Sequence, residues 1–269
     1  MLPPLQSAAH ISYRESGRRE APALVLLHGI GSTSAGWRLQ YAPLGEHFRV
    51  VAWDAPGYGE SRPLPEESPS VQAYAEALAR LLDALHIGRA LVASNSWGTP
   101  TAVGFARLYP RRVRGLVLGG PAAGMAMLSP EERAKAVAAR VERITRLGPE
   151  KMRDEDAARL VAPGASAEVL AWIRSPAGVT VAGYAQAARM LGAADVVREI
   201  AKVRCAVTVV SGEKDIVTPP ALHARPIAAA APRARLESVP ECGHLPHLER
   251  PERFNALVLE MLRALPAAG

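Results

Sequence analysis

Short apolar runs punctuate this chain, and the stretches between them carry apolar residues every three or four positions. Residues 24–27, 48–53, 91–93, 113–118 and 206–210 are predominantly apolar, broken only by Arg49, Arg114 and Thr208, so both faces of each run call for burial. Runs of that kind suit a parallel sheet covered by helices on both sides. Residues 11–15 alternate instead and predict an edge strand, and 235–239 form a shorter alternating candidate.

The intervening pattern is helical. Val71, Tyr74, Leu78, Leu82 and Leu85 fall on one stripe, with Ser68-Pro69 ahead of them as cap and first-turn proline. Residues 97–109 predict a second helix, with Pro100 in its first turn, where the missing N–H has no intrahelical partner. Phe254, Leu257, Val258, Met261 and Leu262 form the face of a C-terminal helix. The alternation of strand and helix breaks between about 122 and 198. That segment is helix-rich, longest at 131–147, and is interrupted at Pro149, Pro163, Gly164, Pro176 and Gly178. The expected fold class is therefore α/β. Residues 1–121 and 199–269 make a core with a mostly parallel central sheet and helices on both faces, and 122–198 is an inserted helical cap.

Composition narrows the partners. Hydrophobic residues make up 49% of the 269, enough for a sizeable core. The formal charge is +6, but the arginines are scattered, densest at Arg111-Arg112-Val113-Arg114, and no nucleic-acid motif accompanies them. A soluble arginine-rich surface accounts for the charge better than nucleic-acid binding. Cys205 and Cys242 make neither a disulfide framework nor a metal-ligand spacing. Residues 1–10 lack the pattern of a signal peptide, and no apolar run reaches the ~18 residues a membrane span needs. The expectation is a cytoplasmic protein that acts on a small molecule, with no membrane or nucleic-acid partner; a homodimer is compatible with the sequence.

The candidate chemistry sits where the strands end. Residues 91–98, Leu-Val-Ala-Ser-Asn-Ser-Trp-Gly, read as strand, sharp turn and helix start, with Ser96 at the tip and small residues two places to either side. Such a turn lifts a serine hydroxyl clear of the sheet. After 24–27 comes His28-Gly29-Ile30-Gly31-Ser32, a turn able to aim the Ile30 N–H at a developing oxyanion, with the Trp97 N–H as second donor. After 206–210 comes an acidic turn in which Asp215 is the candidate carboxylate and Glu213 the runner-up. After 235–239, Gly243-His244 offers an imidazole, with His247 as its rival. Taken singly, each is an ordinary loop residue. Serine, acid and histidine in that order, each behind its own strand, form a pattern.

The chain resembles the α/β-hydrolase superfamily over nearly its whole length. His28-Gly29 is similar to the family's oxyanion turn, Asp54-Ala55-Pro56-Gly57-Tyr58-Gly59-Glu60-Ser61 to its D-x-P-G-x-G-x-S segment, Ser94 to Gly98 to its elbow, Gly212 to Asp215 to its acid loop and Gly243-His244 to its histidine loop. The resemblance implies a serine hydrolase with Ser96, His244 and Asp215 as its triad, Ile30 and Trp97 as oxyanion donors, and no metal or organic cofactor. The cap and C-terminal half most resemble 3-oxoadipate enol-lactonases, with meta-cleavage-product hydrolases nearby, although the elbow reads Ser-Asn-Ser-Trp-Gly-Thr where Gly-x-Ser-Met-Gly-Gly is common. A small carboxylic ester or enol-lactone is the substrate expected. Hydrolysis of a carbon–carbon bond in a vinylogous diketone, and binding without catalysis, are the alternatives. Trp172, Met125 and Met190 are expected to line the pocket, together with Met127, Ile173 and Leu191, and the Trp97 ring to reach toward the acyl group. A substrate carboxylate would need a cation, for which Arg189 and Arg174 are candidates.

Overall fold

The consecutive apolar runs become the parallel centre of one sheet. The computed structural model describes residues 1–175 and 178–264, so Pro176 lies outside the described residues. The strands are β1 (Leu5–Ala8), β2 (Ile11–Ser16), β3 (Ala23–Leu27), β4 (Arg49–Trp53), β5 (Ala90–Asn95), β6 (Val113–Gly119), β7 (Ala206–Gly212) and β8 (Ala234–Val239). They lie side by side in the order β1-β2-β4-β3-β5-β6-β7-β8. β1 and β2 pair antiparallel, β2 meets β4 antiparallel, and every pair from β4 to β8 is parallel. β1 is absent from the sequence-based expectation because four residues, three half-buried and one exposed, carry too little pattern to mark a strand.

The helices are α1 (Tyr41–Gly45), α2 (Val71–Ala84), α3 (Gly98–Leu108), α4 (Pro130–Asp156), α5 (Ala167–Arg174), α6 (Val181–Ala193), α7 (Val196–Ile200), α8 (Ala224–Ala230), α9 (Pro246–Glu249) and α10 (Pro251–Ala264). Alternate residues of each central strand feed opposite cores, as the two-residue period of a strand requires. Val25, Leu27, Val51 and Val92 pack with Tyr74 and Leu78 of α2 and Phe105 of α3. Leu24, Leu26, Val50 and Leu91 pack with Leu44 of α1 and Phe254, Leu257 and Val258 of α10. The expected cap at Ser68-Pro69 falls two residues early. Ser70 caps α2, its hydroxyl accepting the Ala73 N–H at 3.1 Å, because a cap must stand one residue before the first helical turn.

Among the described residues no strand lies between β6 and β7, where α4 to α7 follow one another. Ser129 and Glu132 form a reciprocal capping box at the start of α4. The helix kinks at Gly148, where φ is 71°, just before Pro149, which has no N–H to continue the ladder. Gly124 and Asp195 bridge the two stems of this insertion, so the chain leaves and rejoins the core at one place. Gly57 and Gly183 meet where α6 lies on the core; a Cβ on Gly183 would stand 2.2 Å from the Gly57 carbonyl oxygen. Among the described residues no helix is long and apolar enough to cross a membrane.

From β3 the chain crosses to β4 on one side and then returns over β3 to β5 on the other. The connections therefore diverge between β3 and β5, and a crevice opens beyond their C-terminal ends, where open α/β sheets place ligands. Leu27 and Ser94 are paired at this edge, so the residues that follow them, His28 to Ser32 and Asn95 to Gly98, emerge together.

Candidate active site

Ser96 breaks β5 with a φ of 51°, in the left-handed region. Holding a non-glycine residue there costs about 1–3 kcal/mol, so its surroundings must over-determine it. They do so through the backbone. The Ser96 N–H donates to Gly119 at 3.0 Å, and its carbonyl accepts from Thr99 at 3.0 Å and Ala122 at 3.3 Å. The small flanking residues are needed for closeness. A Cβ on Gly98 would stand 2.5 Å from the Leu27 carbonyl oxygen. Ser94 is fully buried with its hydroxyl 3.3 Å from that of Thr99, a strand-to-helix tie that glycine would not supply. Asn95 extends the frame, its amide donating to the carbonyls of Gly119 (3.1 Å) and His244 (3.2 Å).

Asp215 and His244 meet from the ends of β7 and β8. The His244 Nδ1 lies 2.9 Å from Asp215 Oδ2, and both residues are nearly inaccessible. The other carboxylate oxygen accepts the N–H groups of Val217 (2.8 Å) and Thr218 (2.9 Å), while the Thr218 hydroxyl donates to Oδ2 at 2.8 Å. Burial alone would raise the Asp215 pKa. The hydrogen bond and charge of His244, with the donors of Thr218, outweigh burial, and the pKa is lowered. Four donors thus hold an ionised carboxylate against the imidazole. Glu213 points elsewhere, accepting the exposed Ser238 hydroxyl. Thr218 had a sequence signal that was not used, a hydroxyl three residues beyond the acid in Asp-x-x-Thr, the spacing of a local side-chain turn.

The turn after β3 is held by His28. Its Nε2 accepts the Ala55 N–H at 3.0 Å, which leaves the proton on Nδ1, 2.9 Å from the Gly29 carbonyl oxygen. Ser32 donates to the same oxygen at 3.0 Å. Two donors on the Gly29 carbonyl fix that peptide plane, and in a trans peptide the Ile30 N–H then points the opposite way. Gly29 lies hard against the elbow; a Cβ there would stand 3.4 Å from the Ser96 Cβ. Ile30, Ser96, Trp97 and His244 border one cavity of about 770 Å³.

The cavity corrects several expectations about its lining. Met125, Trp172, Met127, Ile173 and Leu191 border it. Met190 does not; it is fully buried among the apolar side chains of the main core. The Trp97 ring is also fully buried, packed among His28, Tyr58 and Tyr74, with its indole N–H donated to the Ala187 carbonyl of α6 at 3.0 Å. It ties the serine turn to α6 rather than reaching for an acyl group. Arg189 and Arg174 are spent on Glu67 and Asp154. The cations that border the cavity are others, among them Arg38, Arg140, Arg153 and Arg159. Arg38 lies over the Trp172 ring at 4.8 Å. Arg153 donates to the carbonyls of Ile173 and Gly31, and burial lowers its pKa to about 10. His223 also borders the cavity. Its Nδ1 accepts the Ala123 N–H at 3.1 Å, so Nε2 carries the proton, and burial lowers its pKa despite the attraction of Asp215.

His247, the rival histidine, packs against Trp37, ring centres 4.5 Å apart and tilted, and edge-on against Phe254 at 6.0 Å. Burial, then the charge of His244, lowers its pKa from 6.5 to about 3. Between those two values the unfolded chain binds the proton that the folded one refuses, so stability falls as the pH drops. This one residue should cost about 2 kcal/mol of stability between pH 8 and pH 5. Urea unfolding at the two pH values should therefore show a loss smaller by about that amount in His247→Phe. Equal losses in both proteins would refute the assignment.

The sheet order, the crevice at its switch point and the strained serine turn define the class, the α/β hydrolases. The chain belongs to the alpha/beta hydrolase family, whose model matches residues 24–257, and it is a hydrolase. It is 31% identical over 265 residues to the 2-hydroxy-6-oxononadienedioate/2-hydroxy-6-oxononatrienedioate hydrolase of Burkholderia vietnamiensis, covering 94% of this chain and 91% of that one. Among solved structures it is similar to a thermophilic esterase from Thermogutta terrifontis, with a TM-score of 0.84, 28% identity and coverage of 98% and 97%. It is also similar to the enol-lactonase from Burkholderia xenovorans, with a TM-score of 0.81, 26% identity and coverage of 97% and 100%.

Proposed function

We propose that this hydrolase cleaves a small carboxylic ester or enol-lactone through an acyl-enzyme on Ser96. The observation that carries the reading is the buried Asp215–His244 hydrogen bond opening on the same cavity as the strained serine. With Nδ1–H given to Asp215, the basic nitrogen of His244 is Nε2. It takes the Ser96 proton as Oγ attacks the substrate carbonyl. The Ile30 and Trp97 N–H groups receive the oxyanion, each lowering the barrier by about 3 kcal/mol. His244 returns the proton to the departing alkoxide or enolate. Water then gives a proton to His244 and its oxygen to the acyl carbon, releasing the acid and restoring the serine.

The lining supports a substrate with an apolar body and a carboxylate. Met125 and Trp172 supply apolar wall, while Arg140, Arg153 and Arg159 have no carboxylate partner among the described residues. A carboxylate-bearing p-nitrophenyl ester should be turned over with kcat/KM about tenfold above its methyl-capped analogue, the effect of one charge-assisted hydrogen bond. The name of the Burkholderia vietnamiensis relative favours a second reading, hydrolytic carbon–carbon cleavage of a vinylogous diketone by the same residues. Product analysis on an ester, an enol-lactone and a 2-hydroxy-6-oxo-dienoate separates the two. Turnover of the dienoate alone would replace the first reading with the second.

A further inference from the structure

We infer that Glu249 is a positioning residue that seats His244 and couples that seat to the cap, a proposal that rests on the hydrolytic reading above. Glu249 ends α9, five residues beyond the imidazole it serves. Its carboxylate accepts the N–H of Gly243 on both oxygens, at 3.0 and 2.9 Å, and the N–H of Leu245 at 3.1 Å. It therefore grips the two residues that flank His244. Its Oε2 also accepts the Ala162 N–H at 2.7 Å, from the insertion between β6 and β7. The peptide of His244 itself donates to the Leu160 carbonyl at 3.0 Å.

The two segments are in backbone contact. A Cβ on Gly243 would stand 2.6 Å from both the Ala162 nitrogen and the Val161 carbonyl carbon. On the other side, a Cβ on Gly212 would stand 2.0 Å from the Gly243 oxygen, so the loop is pressed between β7 and the insertion. Leu245 and Leu248 pack with Ala157, Val161, Val169 and Ile173, which buries the apolar part of the same junction. Among the described residues no cation pairs with Glu249; its charge is met by three amide N–H groups and by the Cys242 thiol, whose Sγ lies 3.9 Å from Oε1. Hydrogen bonds from amides to an ionised acceptor are about twice as strong as neutral ones, which suits a carboxylate to three donors converging from two segments. A glutamine keeps the shape but offers one oxygen, and turns an N–H₂ group toward amides that also donate. His244 is thus placed by the segment 160–162 as well as by Asp215, and displacement of the insertion moves the imidazole.

The test compares wild type, Glu249→Gln, Glu249→Ala and Ser96→Ala on p-nitrophenyl acetate, with melting temperature as the control for folding. Displacing a base by a fraction of an ångström to 1 Å lowers kcat by on the order of 10²-fold, and KM should stay within about threefold. Labelling by a fluorophosphonate should slow in parallel, the far-downfield proton signal of the His244–Asp215 bond should broaden or shift, and added formate should restore part of the kcat of Glu249→Ala. A folded Glu249→Gln protein with wild-type kcat, or with its loss confined to KM, overturns the inference. If Glu249→Ala fails to fold, the isosteric Glu249→Gln decides. Persistent turnover in Ser96→Ala would instead refute the hydrolytic reading, so the two failures are distinct.

Discussion

Ser96→Ala is expected to lower kcat/KM for p-nitrophenyl esters by about 10⁵-fold and to abolish fluorophosphonate labelling, with little change in melting temperature. The substitution removes one oxygen and leaves the turn intact, because the hydrogen bonds that hold the turn run through the Ser96 backbone. The residual rate is what the cavity and its amide donors supply without a nucleophile. Ser96→Gly sharpens the test. At a φ of 51° glycine carries no Cβ penalty, so this variant should be inactive yet more stable than the parent by about 1 kcal/mol. Melting curves and kcat/KM on the same preparations decide it. An active Ser96→Gly protein would refute Ser96 as the nucleophile, and one less stable than the parent would show that the turn stores no strain for glycine to relieve.

Asp215→Asn should lower kcat by about 10³–10⁴-fold while the protein stays folded. The reason lies in the donors around the carboxylate. Oδ1 accepts two backbone N–H groups, from Val217 and Thr218, so an asparagine will keep its carbonyl oxygen there. Its N–H₂ group then replaces Oδ2, 2.9 Å from His244 Nδ1. A donor at that place forces Nδ1 to accept, and the ring proton moves to Nε2, the nitrogen that has to receive the serine proton. The imidazole is present, correctly placed and in the wrong tautomer. The deficit should therefore appear in kcat with KM nearly unchanged, and labelling should slow equally. A loss of KM alone would mean that Asp215 shapes the pocket and has no part in orienting His244.

Much of the architecture was legible because burial writes a period into the chain. Doubly buried strands are nearly continuous apolar runs, so β3 to β7 stood out; β2, whose alternating residues predict an edge strand, instead lies between β1 and β4, because the short β1 pairs outside it. Short β1 left no mark. The elbow was legible because a strained turn tolerates few side chains, and the Gly98 contact with Leu27 gives the reason. The lining was not legible. Met190 and Leu191 are neighbours on α6, yet only Leu191 borders the cavity, since a helix turns about 100° per residue and its phase against the sheet is set by packing. Arg174 was a candidate cation from the sequence and Arg153 was not. One reaches a surface carboxylate and the other is drawn inward between Ile173 and Gly31, a choice made by the kink in α4 and the seat of α5.

What the chain determined by itself was local: which segments are strands, where the backbone must turn tightly, and which residue types stand at those turns. Covalent order and the two periods of burial are enough for that. The tertiary structure alone decided which of several acids and histidines converge, which arginines keep a free charge beside the cavity, and that Glu249 grips the loop of His244 and the insertion together. Those outcomes depend on distances between segments up to 149 residues apart, as with Asn95 and His244, and such distances exist only once the sheet has closed its register.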